Sequence, residues 1–336
     1  MDGILIIDKP AGITSHDVVA RVRRILKTKR VGHTGTLDPF ATGVLVILVG
    51  KTTRLAQFID KDAKEYEAVV RFGFETDTGD RTGSPKPKVP SPKSEDVSPK
   101  SEDVSPKSQV PRPKSLTIGN IAKILLDFQG EIDQTPPMYS AKKVGGKRLY
   151  ESARKGIEVA REPVKVTVHE LELIDPTSMS KDLGFGTWDP GLEAPDLGPG
   201  TRDLRLRITC SAGTYIRTLA EDIGRRIGVG AHLAELRRTR AGRFGLERSI
   251  TLDELAALAG PTAALIPMTE AVAHLRQIEL NATRADKTKN GLSTRIENNS
   301  FKDGEAVRML DGNGDLVAVG VYEAAETSVR PKVVLV

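Results

Sequence analysis

Apolar positions change their period several times along the chain, and each change marks an element. Val44-Leu45-Val46-Ile47-Leu48-Val49 is an unbroken apolar run of strand length, and Gly3-Ile4-Leu5-Ile6-Ile7-Asp8 is a shorter one. Between them Val18, Val22, Ile25 and Leu26 fall at i, i+4, i+7 and i+8, which predicts a helical segment over Val18 to Arg30. Its arginines lie largely on the opposite face, and Thr14-Ser15-His16-Asp17 offers capping oxygens and an early acid. Thr52 to Phe58 predicts a short helix, and Lys64 to Phe72 alternates as a strand that Phe74 to Asp80 closes. Ile118, Ile121, Leu125 and Phe128 mark an amphipathic helix ending near Gly130, and Arg154-Lys155-Gly156 ends another. Val164 to Leu173 and Leu204 to Cys210 read as strands. Thr214 is placed to cap a helix with Tyr215 and Arg217 in its first turn, and Leu236 is expected on a further helix. Ser249 to Glu254 is a capping box before Leu255 to Leu258. From about residue 270 short strands alternate with polar turns such as Asp311-Gly312-Asn313-Gly314, which predicts a small β-rich domain.

Two stretches break this order. Ser91-Pro92-Lys93-Ser94-Glu95-Asp96-Val97 is repeated at Ser98 to Val104, and a third copy begins at Ser105. The period is seven, but a proline in every repeat excludes a coiled coil. With almost nothing to bury, residues 84–115 are expected to form an extended, disordered insertion, favoured here as a passive linker. Residues 176–201, rich in Gly, Pro and Asp and holding the only tryptophan, Trp188, read as an expanded loop between strands.

Composition narrows the class. At 336 residues, 38% of them hydrophobic, the chain can bury a real core and more than one domain is expected. No apolar run reaches membrane-spanning length, and a strand-like segment directly after Met1-Asp2-Gly3 predicts no signal peptide. A lone Cys210 excludes an internal disulfide framework and a multi-cysteine metal site, so a cytoplasmic setting is expected. The net charge of +5 owes +3 to residues 84–115, so distribution matters more than the total. Arg21, Arg23, Arg24, Lys27, Lys29 and Arg30 form one basic cluster, and Lys142, Lys143, Lys147, Arg148, Arg154 and Lys155 a second. Arg237, Arg238, Arg240 and Arg243 form a third. Any one cluster is commonly a solvated face; three of them beside suspected site motifs point to a phosphate backbone.

The chemistry centres on Gly32-His33-Thr34-Gly35-Thr36-Leu37-Asp38-Pro39-Phe40-Ala41-Thr42-Gly43. Three glycines and a proline in twelve residues exclude a regular helix or a long strand, so this is a loop between a basic helix and a buried strand. Pro39 biases Asp38 toward extended backbone and so directs its carboxylate. The stretch resembles the signature loop of the tRNA pseudouridine-55 synthases, the TruB family. Lys9-Pro10-Ala11-Gly12-Ile13-Thr14-Ser15, Lys64-Glu65-Tyr66, Gln134 to Tyr150, Ser211 to Gly224 and Ala231 to Arg240 also resemble family motifs in the right order. The resemblance covers roughly residues 1–80 and 115–250.

The resemblance implies a mixed α/β (α+β) pseudouridine-synthase core, residues 1–265, around a largely antiparallel mixed sheet, with a PUA-like RNA-binding domain at 270–336. The expected reaction breaks the N1–C1′ bond of uridine, turns the ring and joins C5 to C1′. It needs no group carrier, and neither a cofactor nor a metal is expected. By the resemblance Asp38 is the nucleophile, at C1′ or C6, or assists elimination to a glycal. Arg217 pairs with Asp38 and keeps it ionised. Tyr66, 28 residues after Asp38, stacks on the base and is a candidate for proton abstraction. Tyr215 lines the pocket, Leu236 packs at the uridine, and His33 braces the space left by the flipped base. Lys142, Lys143, Lys147 and Arg148 are expected to contact RNA. The expected partner is the T arm of tRNA, bound by a monomer with no membrane association. An RNA-binding protein without catalysis, or a synthase for another RNA, are the rival readings. Deleting residues 84–115 is predicted to leave turnover on a T-arm stem-loop nearly intact, because loop length costs little stability. A large loss of turnover in the deletion variant would mean that the insertion binds RNA.

Overall fold

The apolar runs read from the sequence form two paired strands of a computed structural model that describes residues 1–59, 62–86, 118–140, 142–153, 155–174, 203–297 and 300–335. The insertion expected at 84–115 lies outside the described residues from position 87 on. So do Arg154 and the loop at 176–201 with Trp188. The chain divides into two compact units, residues 1–64 with 238–336, and residues 65–237.

The first unit begins with strand β1 (Gly3–Lys9), helix α1 (Ser15–Ile25) and strands β2 (Val31–Thr34) and β3 (Thr42–Val49). Strand β3 is antiparallel to both others, with Ile6 opposite Val46 and His33 opposite Ile47. Burial on both faces explains why β1 and β3 show no alternation. Thr14 caps α1 through a capping box with Asp17, which turns the chain out of β1 and presents the first helical turn to the loop after β2. Val18, Val22 and Leu26 are buried as the spacing predicted, Ile25 is half-buried, Val19 is buried as well, and the helix runs from Ser15 to Ile25 rather than from Val18 to Arg30. A six-residue 3-10 helix over Gly50–Leu55 and the short α2 (Ala56–Ile59) replace the one short helix expected there.

The second unit holds β4 (Lys64–Phe72), which starts at the boundary, α3 (Ile118–Leu126), β5 (Gly130–Gln134), a hairpin of β6 (Lys143–Val144) and β7 (Lys147–Arg148), and α4 (Leu149–Ala153). Strands β8 (Val164–Leu173) and β9 (Asp203–Cys210) and helix α5 (Ile216–Ile227) follow. Strand β8 is antiparallel to both β5 and β9. The basic run at 143–148 is therefore a hairpin rather than part of a helix. Gly145 and Gly146, at φ +58° and +82°, supply the two positive values its tight turn requires.

Strand β10 (Ala231–Ala241) corrects a sequence expectation: Leu236 lies on a strand, not on a helix. Ala, Leu, Glu and Arg are good helix formers, but the segment is buried from Ala231 to Ala234 on both faces, and that burial overrides propensity. It turns back through β11 (Phe244–Gly245) and leads to α6 (Leu252–Ala257), with its Thr251–Glu254 capping box, and α7 (Met268–Ala271). The chain ends in β12 (Arg276–Glu279), α8 (Ala282–Lys289), β13 (Thr294–Arg295), β14 (Ala306–Leu310), β15 (Leu316–Glu323) and β16 (Ser328–Val334). These strands form the expected β-rich module, a five-stranded sheet in the order β12-β14-β15-β16-β13, parallel only between β12 and β14. One face of β1 and β3 packs with it: Ile4, Ile6, Val44, Val46 and Leu48 share a core with Leu310, Leu316, Val319 and Val333.

Gly43 joins the Asp38 loop to β3 at φ +98°, and a Cβ there would lie 2.2 Å from the Arg238 carbonyl oxygen. Gly12 has φ +87° but open space around it. Gly12→Ala is therefore predicted to lower stability by about 1 kcal/mol from backbone strain alone. Gly43→Ala adds a clash with main chain and is predicted to lower it by several times more. Urea midpoints of the two variants test the ranking, and equal midpoints would contradict it.

Candidate active site

The loop around Asp38 carries main-chain carbonyls that no sheet or helix can satisfy, so side chains must serve them. Three elements supply the donors. From the end of β1, Lys9 Nζ donates to Ala41 O at 2.7 Å, Pro10 O at 2.9 Å and Pro39 O at 3.2 Å. From the first turn of α1, Ser15 Oγ accepts from Leu37 N at 2.9 Å and donates to Leu37 O at 3.1 Å. From β10, Arg238 donates through Nε to Val44 O at 2.7 Å and through Nη2 to Gly35 O at 2.8 Å. Main-chain bonds from Gly12 N to Pro39 O and from Ala41 N to Asp38 O tighten the turn. Leu37, Phe40 and Ala41 are buried, while Asp38 between them is half-buried. The sequence of the loop thus anchors its apolar residues inward and leaves the carboxylate at the edge.

Lys9 is fully buried, and burial pulls its pKa from the usual 10.5 down to about 8. The Asp38 carboxylate opposes that shift, and the Arg238 guanidinium adds to it. An unfolded lysine binds its proton more tightly than this one, so the protonated ammonium costs the fold stability below about pH 8. That cost fades as pH rises from about 8 toward 10.5. His33, on β2, stands edge-on to His16 with ring centroids 5.4 Å apart.

The second unit carries Tyr66, Tyr215, Arg217 and Leu236. Tyr66 is buried on the inner face of β4 together with Ala68, Val70 and Phe72, and Leu236 is buried on β10. Tyr215, half-buried, is the N-cap residue of α5 in place of the expected Thr214, whose hydroxyl instead donates to Ser211 O. The buried Gln134 side chain fixes this position, accepting from Tyr215 N at 2.9 Å and donating to Tyr215 O at 3.2 Å. Arg217 then lies in the first turn, where a cation opposes the helix dipole. It leaves the helix end: Nη1 donates to Thr78 O at 2.8 Å and Nη2 to Tyr139 O at 2.7 Å. Nη1 also stands 3.8 Å from Asp80 Oδ2, in an ion pair with both side chains under a tenth exposed. The other Asp80 oxygen accepts from Thr82 Oγ1, Thr82 N and Thr78 Oγ1. Lys143 and Lys147 project from the exposed hairpin, Lys142 is half-buried, and the Arg148 side chain lies outside the described set.

The predicted residues therefore fall into two groups, Asp38 and His33 on one unit and Tyr66, Tyr215, Arg217 and Leu236 on the other. Sequence reasoning treated Lys9 and Ser15 as parts of a structural motif and missed their direct hold on the loop. Asp80 was read only as the end of a strand turn; its signal was the Thr76-Asp77-Thr78-Gly79-Asp80 run, rich in residues that bond local backbone. Arg238 was grouped with phosphate-binding cations, but at 1% exposure it contacts no solvent-borne partner. Among the described residues, no three His, Cys, Asp or Glu side chains stand together as metal ligands. None of the described helices is long and apolar enough to cross a membrane.

Comparison with known proteins agrees with the motifs. The model of the TruB family pseudouridylate synthase N-terminal domain matches residues 23–107 and 96–216, and that of the tRNA pseudouridylate synthase B C-terminal domain matches 217–273. The tRNA pseudouridine synthase B of Geobacillus kaustophilus is 43% identical over 299 residues, 88% of this chain and 92% of its own. That of Solibacter usitatus is 40% identical over 326 residues, 95% of both chains. Among solved structures, a chain of a Cbf5-Nop10-Gar1 complex superposes with a TM-score of 0.67 at 27% identity, covering 99% of this chain and 85% of that one. With family models across most of its length and relatives at this identity over nearly all of it, the chain belongs to the TruB family of pseudouridine synthases.

Proposed function

We infer that this protein isomerises uridine to pseudouridine at position 55 in the T loop of tRNA. The observation that carries the reading is the Asp38 loop: a half-buried carboxylate on a backbone held by Lys9, Ser15 and Arg238, in a chain of the TruB family. Asp38 acts as the nucleophile toward the uridine. The target base leaves its stack to reach it, and His33 fills the space it vacates. Tyr66 stacks on the uracil and accepts the C5 proton, while Tyr215 and Leu236 hold the detached ring so that it can turn without escaping. Arg217 keeps the Asp38 carboxylate ionised, since a neighbouring cation favours the charged form. No step needs a cofactor, because the ring supplies both the leaving and the returning atom.

Residues 1–265 serve as the catalytic part and 270–336 as an RNA-binding part. Lys142, Lys143, Lys147 and Arg148, on and beside an exposed hairpin, contact the phosphates of the T arm. The protein works as a monomer in the cytoplasm.

Asp38→Asn keeps the shape and removes the charge. Its release of tritium from C5-labelled uridine in a T-arm RNA is predicted to fall below detection, with filter-binding affinity unchanged. Wild-type release by that variant would refute the nucleophile assignment, and a wild type that binds without releasing tritium would favour a binding module. Arg217→Met is predicted to cripple turnover as well. Because it also strips a buried carboxylate, Asp80, of its cation, it should lower unfolding free energy by about 3 kcal/mol in urea titration. An unchanged midpoint would show that the pair contributes nothing to the fold.

A further inference from the structure

Arg238 is the bulkiest fully buried side chain among the described residues, yet the bonds of its guanidinium described above run to main-chain carbonyls. A desolvated cation is expensive, and a core position would ordinarily be filled by an apolar side chain. The geometry explains its presence. Gly35 begins the turn that carries Asp38, and Val44 follows the glycine that ends it. One planar fork reaches both, Gly35 O at 2.8 Å and Val44 O at 2.7 Å, while Lys9 takes Pro39 O and Ala41 O between them. Gly35 and Gly43, at φ +63° and +98°, turn the backbone at the two ends of the loop in a conformation that favours glycine, and Pro39 stiffens what lies between. Lys9 and Ser15 hold the middle of the loop, and the Arg238 fork joins its two ends to each other. The missing Cβ of Gly43 lets the loop lie directly on the backbone of Arg238, so the tie is short.

We propose that Arg238 is a positioning residue of the isomerisation, whose fork ties Gly35 to Val44 and thereby holds the Asp38 carboxylate at reacting geometry without touching RNA. The proposal rests on the assignment of Asp38 as nucleophile. A lysine would keep the charge but has one donor nitrogen where Arg238 places two, Nε at Val44 O and Nη2 at Gly35 O, in a fixed plane. Misplacement of a reacting group by about 1 Å costs on the order of a hundredfold in rate.

The test uses the full-length protein with Arg238→Lys and Arg238→Met, beside Val307→Ala, a cavity in the core of the C-terminal sheet away from the loop. Single-turnover tritium release at saturating enzyme, T-arm RNA affinity and urea midpoints are measured for each, well below every midpoint. Arg238→Met is expected to react about a hundredfold more slowly with unchanged affinity, and Arg238→Lys to recover little of the rate despite keeping its charge. Val307→Ala is expected to lose stability and keep the wild-type rate. Full rate in Arg238→Lys would overturn the proposal, and this variant decides the matter if Arg238→Met does not fold. A rate loss shared equally by Val307→Ala would reduce Arg238 to a stability residue, and a loss of affinity equal to the loss of rate would make it an RNA contact. These failures are distinct from failure of the assigned reaction, in which the wild type itself releases no tritium.

Discussion

A buried carbonyl without a hydrogen bond is destabilising, and a turn that leaves helix and sheet satisfies few of its carbonyls internally. That constraint organises the first unit. The Asp38 loop needs donors at Gly35, Leu37, Pro39, Ala41 and Val44, and strand β1, helix α1 and strand β10 each deliver one side chain to meet it. The Thr14 capping box gains its meaning here: it fixes where α1 starts, and hence where Ser15 meets Leu37. The register of β1 against β3 does the same for Lys9, which pairs with Gly43 and so reaches back under the loop.

The second unit uses the same physical device. Arg217 takes the carbonyls of Thr78 and Tyr139, two loop positions far apart in sequence, and pairs with Asp80. Gln134 determines where α5 begins and so which residue of its first turn is the arginine. An arginine suits this work better than a lysine because its donors are splayed in a fixed plane. In both units the cation is placed by regular elements and spent on irregular ones, which is how loops can be held accurately enough for chemistry.

The legibility of this arrangement followed from what sequence encodes locally. The Asp38 loop stood out because glycine and proline exclude a helix or a long strand, and β1 and β3 stood out because burial on both faces leaves an unbroken apolar run. The Thr251–Glu254 cap and the α1 face were readable for equally local reasons. Strand β10 was not, since its residues favour a helix and only its neighbours make it a strand. Arg238 was misjudged for a related reason: a charge is visible in sequence, whereas its burial is a property of the fold. Asp80 and Arg217 were each visible, but nothing local joins a turn after β4 to the first turn of α5.

The two cations beneath the loop also bear on each other. Lys9 is pushed toward neutrality by burial and by Arg238, and is held charged by Asp38. The carboxylate therefore favours the charged form of one of the groups that hold its own backbone. Packing alone could have fixed the loop with apolar residues, but apolar residues offer no donors to carbonyls and no field to a charge. Choosing cations answers both needs at once, at the expense of desolvating them. A site whose proposed chemistry begins with an anion thus rests in part on a buried lysine whose charge that anion favours.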